Sequence, residues 1–306
     1  MPETPREPLD VDLRGLTRRY GVRRGVEAVT LAVPRGSLFG FLGPNGAGKT
    51  TVIRVILGFL RPTEGTARAM GLDCWRESHK VKAQVGSIPG DLRLWPWLNG
   101  HSALKLFSRI RGVDMVKGGR RLAEQLDLDL GVRVRAMSRG MRQKLGLILA
   151  LAHDPGLLVL DEPTTALDPL MQDRLREILH ARAAAGRTVF FSSHTLSEVE
   201  AICQRVAIVR QGRIVADSTL DELKRQAGHD VEIVFRAGAG AAAPPAGLTL
   251  SRRSPDRWAG EHRGPLEPLL SFLAGVPVED VTIRKPDLEQ LFRRYYDAPG
   301  GEGAGG

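Results

Sequence analysis

The segment GPNGAGKT at residues 43–50 constrains the fold more than any other part of the sequence. It has the form G-x-x-x-x-G-K-[ST] and lies between an apolar, strand-like run, Leu38–Leu42, and a helix-like run at 49–57. This strand–loop–helix setting distinguishes a phosphate-binding loop from an ordinary glycine-rich turn. The loop therefore predicts an α/β domain in which short apolar runs of this kind are buried parallel strands.

The residue types of the loop indicate its ligand. Glycines let successive backbone N–H groups curl around phosphate oxygens without clashes of a Cβ atom, and the helix that begins near Lys49 adds its N-terminal dipole. Lys49 would reach the β- and γ-phosphates, and Thr50 would offer its hydroxyl to Mg²⁺. A nucleotide with several phosphates and Mg²⁺ is the predicted ligand.

Two carboxylates and a histidine follow further strand-like runs. The run 157–160 leads directly into Asp161 and Glu162, and the run 188–192 leads to His194. A phosphate-binding loop needs an acid on a neighbouring strand to hold Mg²⁺, which favours Asp161, and Glu162 would then orient or deprotonate an attacking water. His194 either hydrogen-bonds a γ-phosphate or is a surface or capping residue, and its position alone leaves both open.

The rest of the chain divides into segments of different character. Residues 94–152 have mostly helical patterns, which predicts a helical insertion between two parts of the strand-rich core. After Gly228 the composition changes, and a small accessory domain is expected at 229–297, with a low-complexity linker at 237–247. The glycine-rich residues 298–306 are expected to be a disordered tail.

Charge and cysteine content limit the function classes. Residues 1–229 carry 35 basic and 24 acidic side chains, whereas residues 230–306 carry 9 and 11. A basic domain fits a phosphorylated ligand, nucleic acid or an anionic membrane surface, although arginine bias on a solvated surface gives the same balance. The two cysteines form neither a disulfide framework nor a zinc pattern. Neither a spanning run of roughly 18 apolar residues nor a signal-peptide core is seen, so a cytosolic chain is expected.

The order of the motifs resembles that of a known family. The phosphate-binding loop is followed by MSRGMRQK at 137–144, LLVLDEP at 157–163, ALDP at 166–169 and then His194. This order is similar to that of the ATP-binding cassette (ABC) ATPases, and the resemblance covers residues 9–228. It implies an α/β, P-loop NTPase core with a mixed sheet and an inserted α-helical subdomain, followed here by a small α+β domain. ATP and Mg²⁺ are the implied ligands.

The resemblance also implies roles for single residues. Asp161 and Thr50 would bind the metal, while Glu162, His194 and Lys49 would be catalytic. Tyr20 would stack on adenine, although a strand-end aromatic is the alternative for it. The complete nucleotide-binding set that the resemblance implies is Tyr20, Gly43, Pro44, Asn45, Gly46, Ala47, Gly48, Lys49, Thr50, Thr51, Ser138, Gly140 and Asp168.

The sequence departs from the family pattern at two motifs. The signature, usually L-S-G-G-Q, here reads MSRGM at 137–141, which keeps Ser138 and Gly140 and places Arg139 between them. In the family this segment caps the ATP of a partner subunit from a helix N-terminus, and Arg139 adds positive charge there. In the Q-loop, Gly90 stands where glutamine is expected. Asp91 beside it is either a substitute contact to the metal or to water, or an acidic turn residue.

The predicted function is ATP hydrolysis that drives an ABC transporter. The chain would lie on the cytoplasmic face of the membrane, act on a separate multi-span permease subunit and close as a head-to-tail homodimer when it binds ATP. The methionine of the signature and the terminal LEQLFRRYY at 288–296 resemble the type-2 exporter branch, which includes drug and antibiotic resistance exporters. Trp95 and Trp97, in the helical segment, are candidate permease contacts or else packing residues.

Two other functions remain alternatives. A non-transport ABC ATPase that acts on ribosomes or DNA is motivated by the basic charge, although no specific nucleic acid is expected as a partner. A GTPase or kinase is the other alternative, but guanine recognition resembles an N-K-x-D motif, and neither asparagine of the chain, Asn45 or Asn99, precedes a lysine.

Overall fold

The computed structural model describes residues 8–21, 23–236 and 243–284. The chain divides into two compact units, Met1–Asp217 and Ser218–Gly306, so the division comes earlier than the expected domain boundary at 228. The terminal motif at 288–296, the tail at 298–306 and the first part of the predicted linker lie outside the described residues.

The strands and helices of the described residues alternate along much of the chain. The strands are β1 Leu9–Tyr20, β2 Arg23–Pro34, β3 Leu38–Leu42, β4 Glu64–Ala69, β5 Leu72–Asp73, β6 Val85–Ile88, β7 Leu157–Asp161, β8 Thr188–Ser193, β9 Arg205–Arg210, β10 Arg213–Thr219, β11 His229–Phe235, β12 Leu248–Arg253, β13 Arg257–His262 and β14 Val278–Arg284. The α-helices are α1 Lys49–Ile56, α2 Ser78–Gln84, α3 Gly100–Arg111, α4 Val116–Gln125, α5 Arg139–Leu151, α6 Pro169–Ala184, α7 Leu196–Ile202, α8 Leu220–Ala227 and α9 Glu267–Ala274.

A six-stranded sheet with the order β10-β9-β3-β8-β7-β6 forms the centre of the first unit. Strand β3 pairs in parallel with β8 and β9, and β7 pairs in parallel with β8 and β6. Every residue of β3 and β7 is buried, as expected for parallel strands that are covered on both faces. The carboxyl ends of β3, β7 and β8 therefore lie side by side at one edge, where parallel α/β sheets place their sites.

Helix α7 packs closely on β3 because the strand has a glycine at the contact. A Cβ atom on Gly40 would lie 2.5 Å from Cγ1 of Val199 and 3.3 Å from Sγ of Cys203. Val199 is fully buried in this contact. The short α7 is thus held against the central sheet, and its position relative to the ends of β7 and β8 is fixed.

A second, antiparallel sheet has the order β2-β1-β4-β5. Its long hairpin, β1 and β2, contributes Val11, Leu13, Leu31 and Val33 to a core that also contains residues of α1 and of the central sheet. Register shifts interrupt the β1–β2 pairing near Gly15, which has a positive φ of 57°. Tyr20 ends the hairpin's first strand beside the phosphate-binding loop.

The segment 94–152 contains three helices, α3, α4 and α5, and no strand of the sheets. Asn99 caps α3 in a reciprocal pair with Ser102, and Ser138 caps α5 by accepting from the N–H of Met141. Arg111 of α3 donates to the carbonyls of residues 82 and 85, at the end of α2 and the start of β6. These hydrogen bonds tie the helical segment to the α/β core.

The second unit contains an antiparallel sheet of four strands with the order β12-β13-β11-β14. Helix α9 packs on one face of it through Leu269 and Phe272, and Trp258 is fully buried between Phe235 and Phe272. The α/β fold class with a small α+β unit after the core is confirmed. None of the helices in the described ranges is long and apolar enough to cross a membrane.

Candidate functional site

The loop between β3 and α1 wraps around the N-terminus of the helix. Gly48 caps α1 with a φ of 107°, a conformation that favours glycine, and its Cβ would lie 2.6 Å from Val26. A Cβ on Gly43 would lie 2.4 Å from the carbonyl oxygen of Val209. The N–H of Gly43 donates to the carbonyl of Ser193 at 3.2 Å, which joins the loop to the end of β8. Packing therefore requires glycine at 43 and 48, and at 48 the backbone conformation favours it as well.

Lys49, the first residue of α1, points its ammonium group back into the loop. Nζ donates to the carbonyl oxygens of Gly43 at 2.5 Å and Pro44 at 3.3 Å. It also lies 3.4 Å from Oε1 of Glu162. The side chain is only 5% exposed, so this positive charge is concentrated where the loop's amide groups and the helix dipole add to it.

Asp161 ends β7 with a buried carboxylate, 3% exposed. Its Oδ2 accepts from the hydroxyl of Thr50 at 2.9 Å, and its Oδ1 accepts from the hydroxyl of Ser192 at 2.6 Å. The parallel pairing of β7 with β8 places residue 192 directly beside residue 161. The sheet register thus places the carboxylate of Asp161 beside Thr50 in the first turn of α1. The sequence predicts that these two residues share a metal ion.

Glu162 adopts a left-handed conformation with a φ of 49°, which is uncommon for a residue with a side chain. Its N–H donates to the carbonyl of Ser192 at 3.1 Å. Its Oε1 lies 3.2 Å from Nδ1 of His194, and the same oxygen lies 3.4 Å from Nζ of Lys49. The structure therefore brings together all three residues that were predicted to be catalytic, from the ends of three different elements.

Tyr20 lies beside the first turn of α1 and lines the same cavity as Glu162. Its hydroxyl is 3.4 Å from the hydroxyl of Thr51, and the guanidinium of Arg18 lies 5.2 Å from the centre of its ring. The Tyr20 side chain is 41% exposed. An aromatic ring that is anchored at its edge and backed by a cation is suited to stacking on a flat base.

A cavity of about 430 Å³ joins Tyr20, the phosphate-binding loop and Glu162, whereas Asp161 and His194 are not among its lining residues. Its size is within the range of small-molecule sites. The lining residues are Tyr20, Gly25, Pro44, Asn45, Gly46, Gly48, Lys49, Thr50, Thr51 and Glu162. Most of the predicted nucleotide-binding residues are thus gathered on one cavity.

Ser138, Gly140 and Asp168 do not line this cavity. Ser138 and Asp168 are helix caps, which accept from the N–H groups of Met141 and Met171. A Cβ atom on Gly140 would lie 2.7 Å from the carbonyl oxygen of Ala166, three residues before α6. These residues therefore form a second surface, at the start of α5 and α6, which we call the signature surface.

The Q-loop position lies beside the buried carboxylate. A Cβ atom on Gly90 would lie 3.4 Å from Oδ2 of Asp161. Asp91 has a side chain that is 77% exposed, and its carboxylate accepts from the guanidinium of Arg93. Asp91 is absent from the cavity lining, and its role as a metal contact stays a prediction.

Sequence reasoning missed three residues of the site. Gly25 lines the cavity, and a Cβ atom there would lie 2.7 Å from the ring of Tyr20, so only glycine leaves the ring its present position. Ser192 fixes Asp161, and Glu198 accepts hydrogen bonds from Thr164 and Ser193. Glu198 had no signal in the sequence, because its partners Thr164 and Ser193 belong to other elements and meet it only in the folded chain.

The donor groups fit a phosphorylated ligand and a magnesium ion. The hydroxyl of Thr50 and the carboxylate of Asp161 are hard oxygen ligands, and Mg²⁺ is commonly held by one or two carboxylates together with substrate phosphates. No cluster of three or more His, Cys, Asp or Glu side chains able to hold a metal occurs in the part of the chain that the structure describes.

Comparison with known proteins agrees with this geometry. The family model described as "ABC transporter" matches residues 26–165. The chain is 34% identical over 297 residues to a daunorubicin resistance ATP-binding protein of Streptomyces coeruleorubidus, covering 92% of this chain and 94% of that protein. It is 35% identical over 214 residues to a bacitracin transport ATP-binding protein of Bacillus licheniformis, covering 69% and 70%.

Solved structures share the fold over about 70% of this chain. The structure of an ATP-binding subunit of an ABC transporter superimposes with a TM-score of 0.67 at 29% identity and covers 71% of this chain and 92% of that chain. A dimeric cassette in a post-hydrolysis state with ADP and phosphate gives a TM-score of 0.61 at 21% identity, covering 69% and 98%.

Proposed function

The chain belongs to the ABC transporter family as an ATP-binding, ATP-hydrolysing subunit, and from this premise we propose that it powers an exporter through a separate permease. The observation that carries the proposal is the meeting of Lys49, Glu162 and His194 at the phosphate-binding loop. The names of the relatives support the direction of transport, because they describe resistance to daunorubicin and transport of bacitracin. One of them aligns over nearly its whole length, including the second unit.

ATP would bind along the cavity with its base at Tyr20 and its phosphates in the loop 43–50. Backbone N–H groups of the loop, the dipole of α1 and the ammonium of Lys49 all favour negative charge there. Thr50 and Asp161 would hold Mg²⁺, which, when bound, neutralises charge on the phosphates. Asp161 keeps its orientation through the hydroxyl of Ser192.

Glu162 would accept a proton from the water that attacks the terminal phosphate. Its carboxylate reaches the cavity from the end of β7, and His194 lies within hydrogen-bonding distance of it. Lys49 contacts the same carboxylate oxygen, so two nitrogen groups orient it. Proton acceptance by a positioned carboxylate and stabilisation of phosphate charge by Lys49 are the two contributions that this chain's residues make.

The signature surface supports a head-to-tail dimer. Ser138 and Gly140 lie at the N-terminus of α5, outside the cavity of their own chain, and Arg139 adds a cation between them. A second copy would place these groups against the phosphates of the first, and Asp168 would lie at the same junction. ATP bound between the copies would favour the closed dimer, and hydrolysis would release it.

The permease would contact the helical segment. Trp95 and Trp97 stack with ring centroids 6.3 Å apart and are 46% and 67% exposed. Exposed tryptophans are rare on a surface that faces only water and are common at contact sites between proteins. The chain would then lie peripherally at the cytoplasmic face of the membrane, bound to a multi-span partner.

Analytical ultracentrifugation of Glu162→Gln tests the dimer. With MgATP this variant should sediment as a dimer, because bound ATP is retained, and without nucleotide as a monomer. A second substitution, Gly140→Asp, should restore the monomer with MgATP, since it places negative charge and a side chain on the signature surface. A monomer under all conditions, in a variant that still binds ATP, would contradict the dimer.

A further inference from the structure

The two loops that carry Glu162 and His194 are joined by a third acidic side chain. Glu198 of α7 accepts from the hydroxyl of Thr164 at 2.8 Å with Oε1 and from the hydroxyl of Ser193 at 2.5 Å with Oε2. Thr164 follows Glu162 by two residues, and Ser193 immediately precedes His194. Both hydroxyl-bearing residues are buried, at 4% and 1% exposure.

The direction of these hydrogen bonds is determined by the surrounding groups. The oxygen of Ser193 already accepts from the N–H of Thr195 at 2.9 Å, so its proton is the one that reaches Glu198. An ionised carboxylate only accepts hydrogen bonds, and its two oxygens can serve two hydroxyl groups at once. Glu198 therefore matches its two partners in both number and polarity.

The turn after Glu162 needs such support because its backbone is unfavourable. Glu162 has a φ of 49° and Ala166 a φ of 65°, and side-chain-bearing residues persist in this region only when their surroundings hold them there. On the other side of the turn, the amide of Gln143 donates to the carbonyl of Pro163 at 2.9 Å. Two side chains therefore hydrogen-bond to the turn, Gln143 of α5 at Pro163 and Glu198 of α7 at Thr164.

Helix α7 holds Glu198 in place because the helix packs tightly on β3. Val199, next to Glu198, is buried against Gly40 of β3. The main chain of Ser193, in turn, accepts from Gly43 of the phosphate-binding loop. A displacement of Glu198 would therefore change the positions of Glu162, His194 and the phosphate-binding loop, because hydrogen bonds among the described residues connect them.

We propose that Glu198 is a positioning residue of the hydrolytic site. It keeps the carboxylate of Glu162 and the imidazole of His194 at a fixed distance from each other. This proposal rests on the proposed function of Glu162 and His194. Glu198 does not touch the cavity. Its contribution is to keep two loops from separate strands at a fixed spacing, and misplacement of reacting groups by about 1 Å can cost about 100-fold in rate.

The variant Glu198→Gln tests the proposal with little change of volume. A glutamine keeps one acceptor oxygen but presents an NH₂ group at the other position. The oxygen of Ser193 would then face two donors, the N–H of Thr195 and the new NH₂ group. Its own hydroxyl proton would have no acceptor at position 198. We expect kcat for ATP hydrolysis by the full chain to fall about tenfold, while KM for ATP and the melting temperature stay close to those of the unchanged protein.

A double-variant cycle identifies the route of the effect. Ser193→Ala should lower kcat by a similar factor, and the double variant should lose less than the product of the two single losses, because each substitution breaks the hydrogen bond between Glu198 and Ser193. Glu200→Gln, which removes the same charge from the same helix but not from Ser193 and Thr164, should retain full kcat. Equal losses in Glu200→Gln would show a general charge effect and overturn the proposal.

The positioning role of Glu198 and the proposed function of Glu162 can fail independently of each other. An unchanged kcat in Glu198→Gln, or a loss of kcat that is matched by a lower melting temperature, would overturn the positioning role while ATP hydrolysis by Glu162 stands. Full turnover in Glu162→Gln would instead remove the proposed function itself. Multiplied losses in the double variant would also contradict the proposal, because they would mean that Glu198 and Ser193 act independently.

Discussion

The carboxylate of Glu162 lies 3.4 Å from the ammonium of Lys49, although the two residues are 113 positions apart in the sequence. The two residues meet because β3 and β7 both pair with β8 and end at the same edge of the sheet. Lys49 therefore serves two partners, the phosphate-binding loop and the proposed base. This double role makes it sensitive to substitution in a way that a surface lysine is not.

Lys49→Ala should reduce both ATP binding and hydrolysis. It removes the buried cation that is aimed at the phosphates, and it leaves Glu162 without one of its two neighbours. We expect at least a tenfold weaker affinity for MgATP and a loss of roughly 100-fold or more in kcat, as for other preorganised charge contacts. Fluorescent-nucleotide titration and phosphate release measure the two effects. Lys80→Ala, at an exposed pair with Glu77, is the control, and equal losses in the two variants would contradict the role of Lys49.

Tyr20→Leu should raise KM for ATP with little change in kcat. Stacking of a base on an aromatic ring contributes about 1–3 kcal/mol, and an interaction that is equal in ground and transition states affects KM alone. An increase of about tenfold is expected. Tyr20→Phe, which keeps the ring and loses only the hydroxyl near Thr51, should remain within threefold of the unchanged protein. A normal KM in Tyr20→Leu would place the base elsewhere.

Acid should destabilise the first unit through His153. Burial, with the nearby charge of Arg111, lowers the pKa of His153 to about 4 from its ordinary value of 6.5. Between these two values the unfolded chain binds more protons than the folded one, so the free energy of unfolding falls as the pH falls from 6.5 towards 4.

Melting temperatures at pH 7.5 and pH 5 measure this contribution. From pH 7.5 to pH 5 the melting temperature of His153→Gln should fall less than that of the unchanged protein, because the variant has no imidazole to protonate at this position. His101→Gln, at an exposed position of α3, should behave like the unchanged protein. An identical pH dependence in all three proteins would mean that His153 is not held neutral by the fold.

Replacement of Trp95 and Trp97 by alanine should weaken the complex with the permease. The two rings are exposed and stacked, and truncation of aromatic anchors at an interface commonly costs more than 2 kcal/mol. Co-purification from membranes should fall at least tenfold, whereas ATP turnover by the isolated chain should stay within twofold. Full co-purification would exclude this pair as the contact.

Much of the site could be predicted from the sequence because its parts are local. The loop 43–50, the end of β7 and the end of β8 are each defined by a few consecutive residues, and the structure has them as strand ends and a helix start. The family assignment followed from their order along the chain and is confirmed. Short apolar runs that are buried on both faces have a simple sequence signal.

The long hairpin β1–β2 lacked such a signal. The burial of β1 alternates only in part, and its pairing shifts register at several points, so neither a period of two nor a continuous apolar run marks it. Contacts such as Thr164 with Glu198 are also tertiary, since they depend on how α7 packs on β3. The exposed, paired state of Asp91 depends on the direction in which its loop turns, which composition does not determine.

Phosphate release by Glu162→Gln, measured beside its affinity for MgATP, tests the central claim most directly. Glutamine keeps the size of the side chain but cannot accept the proton of an attacking water as the carboxylate can. We expect the affinity for MgATP to stay within about threefold while kcat falls at least 100-fold. Undiminished phosphate release by a folded Glu162→Gln chain would contradict the role assigned to Glu162.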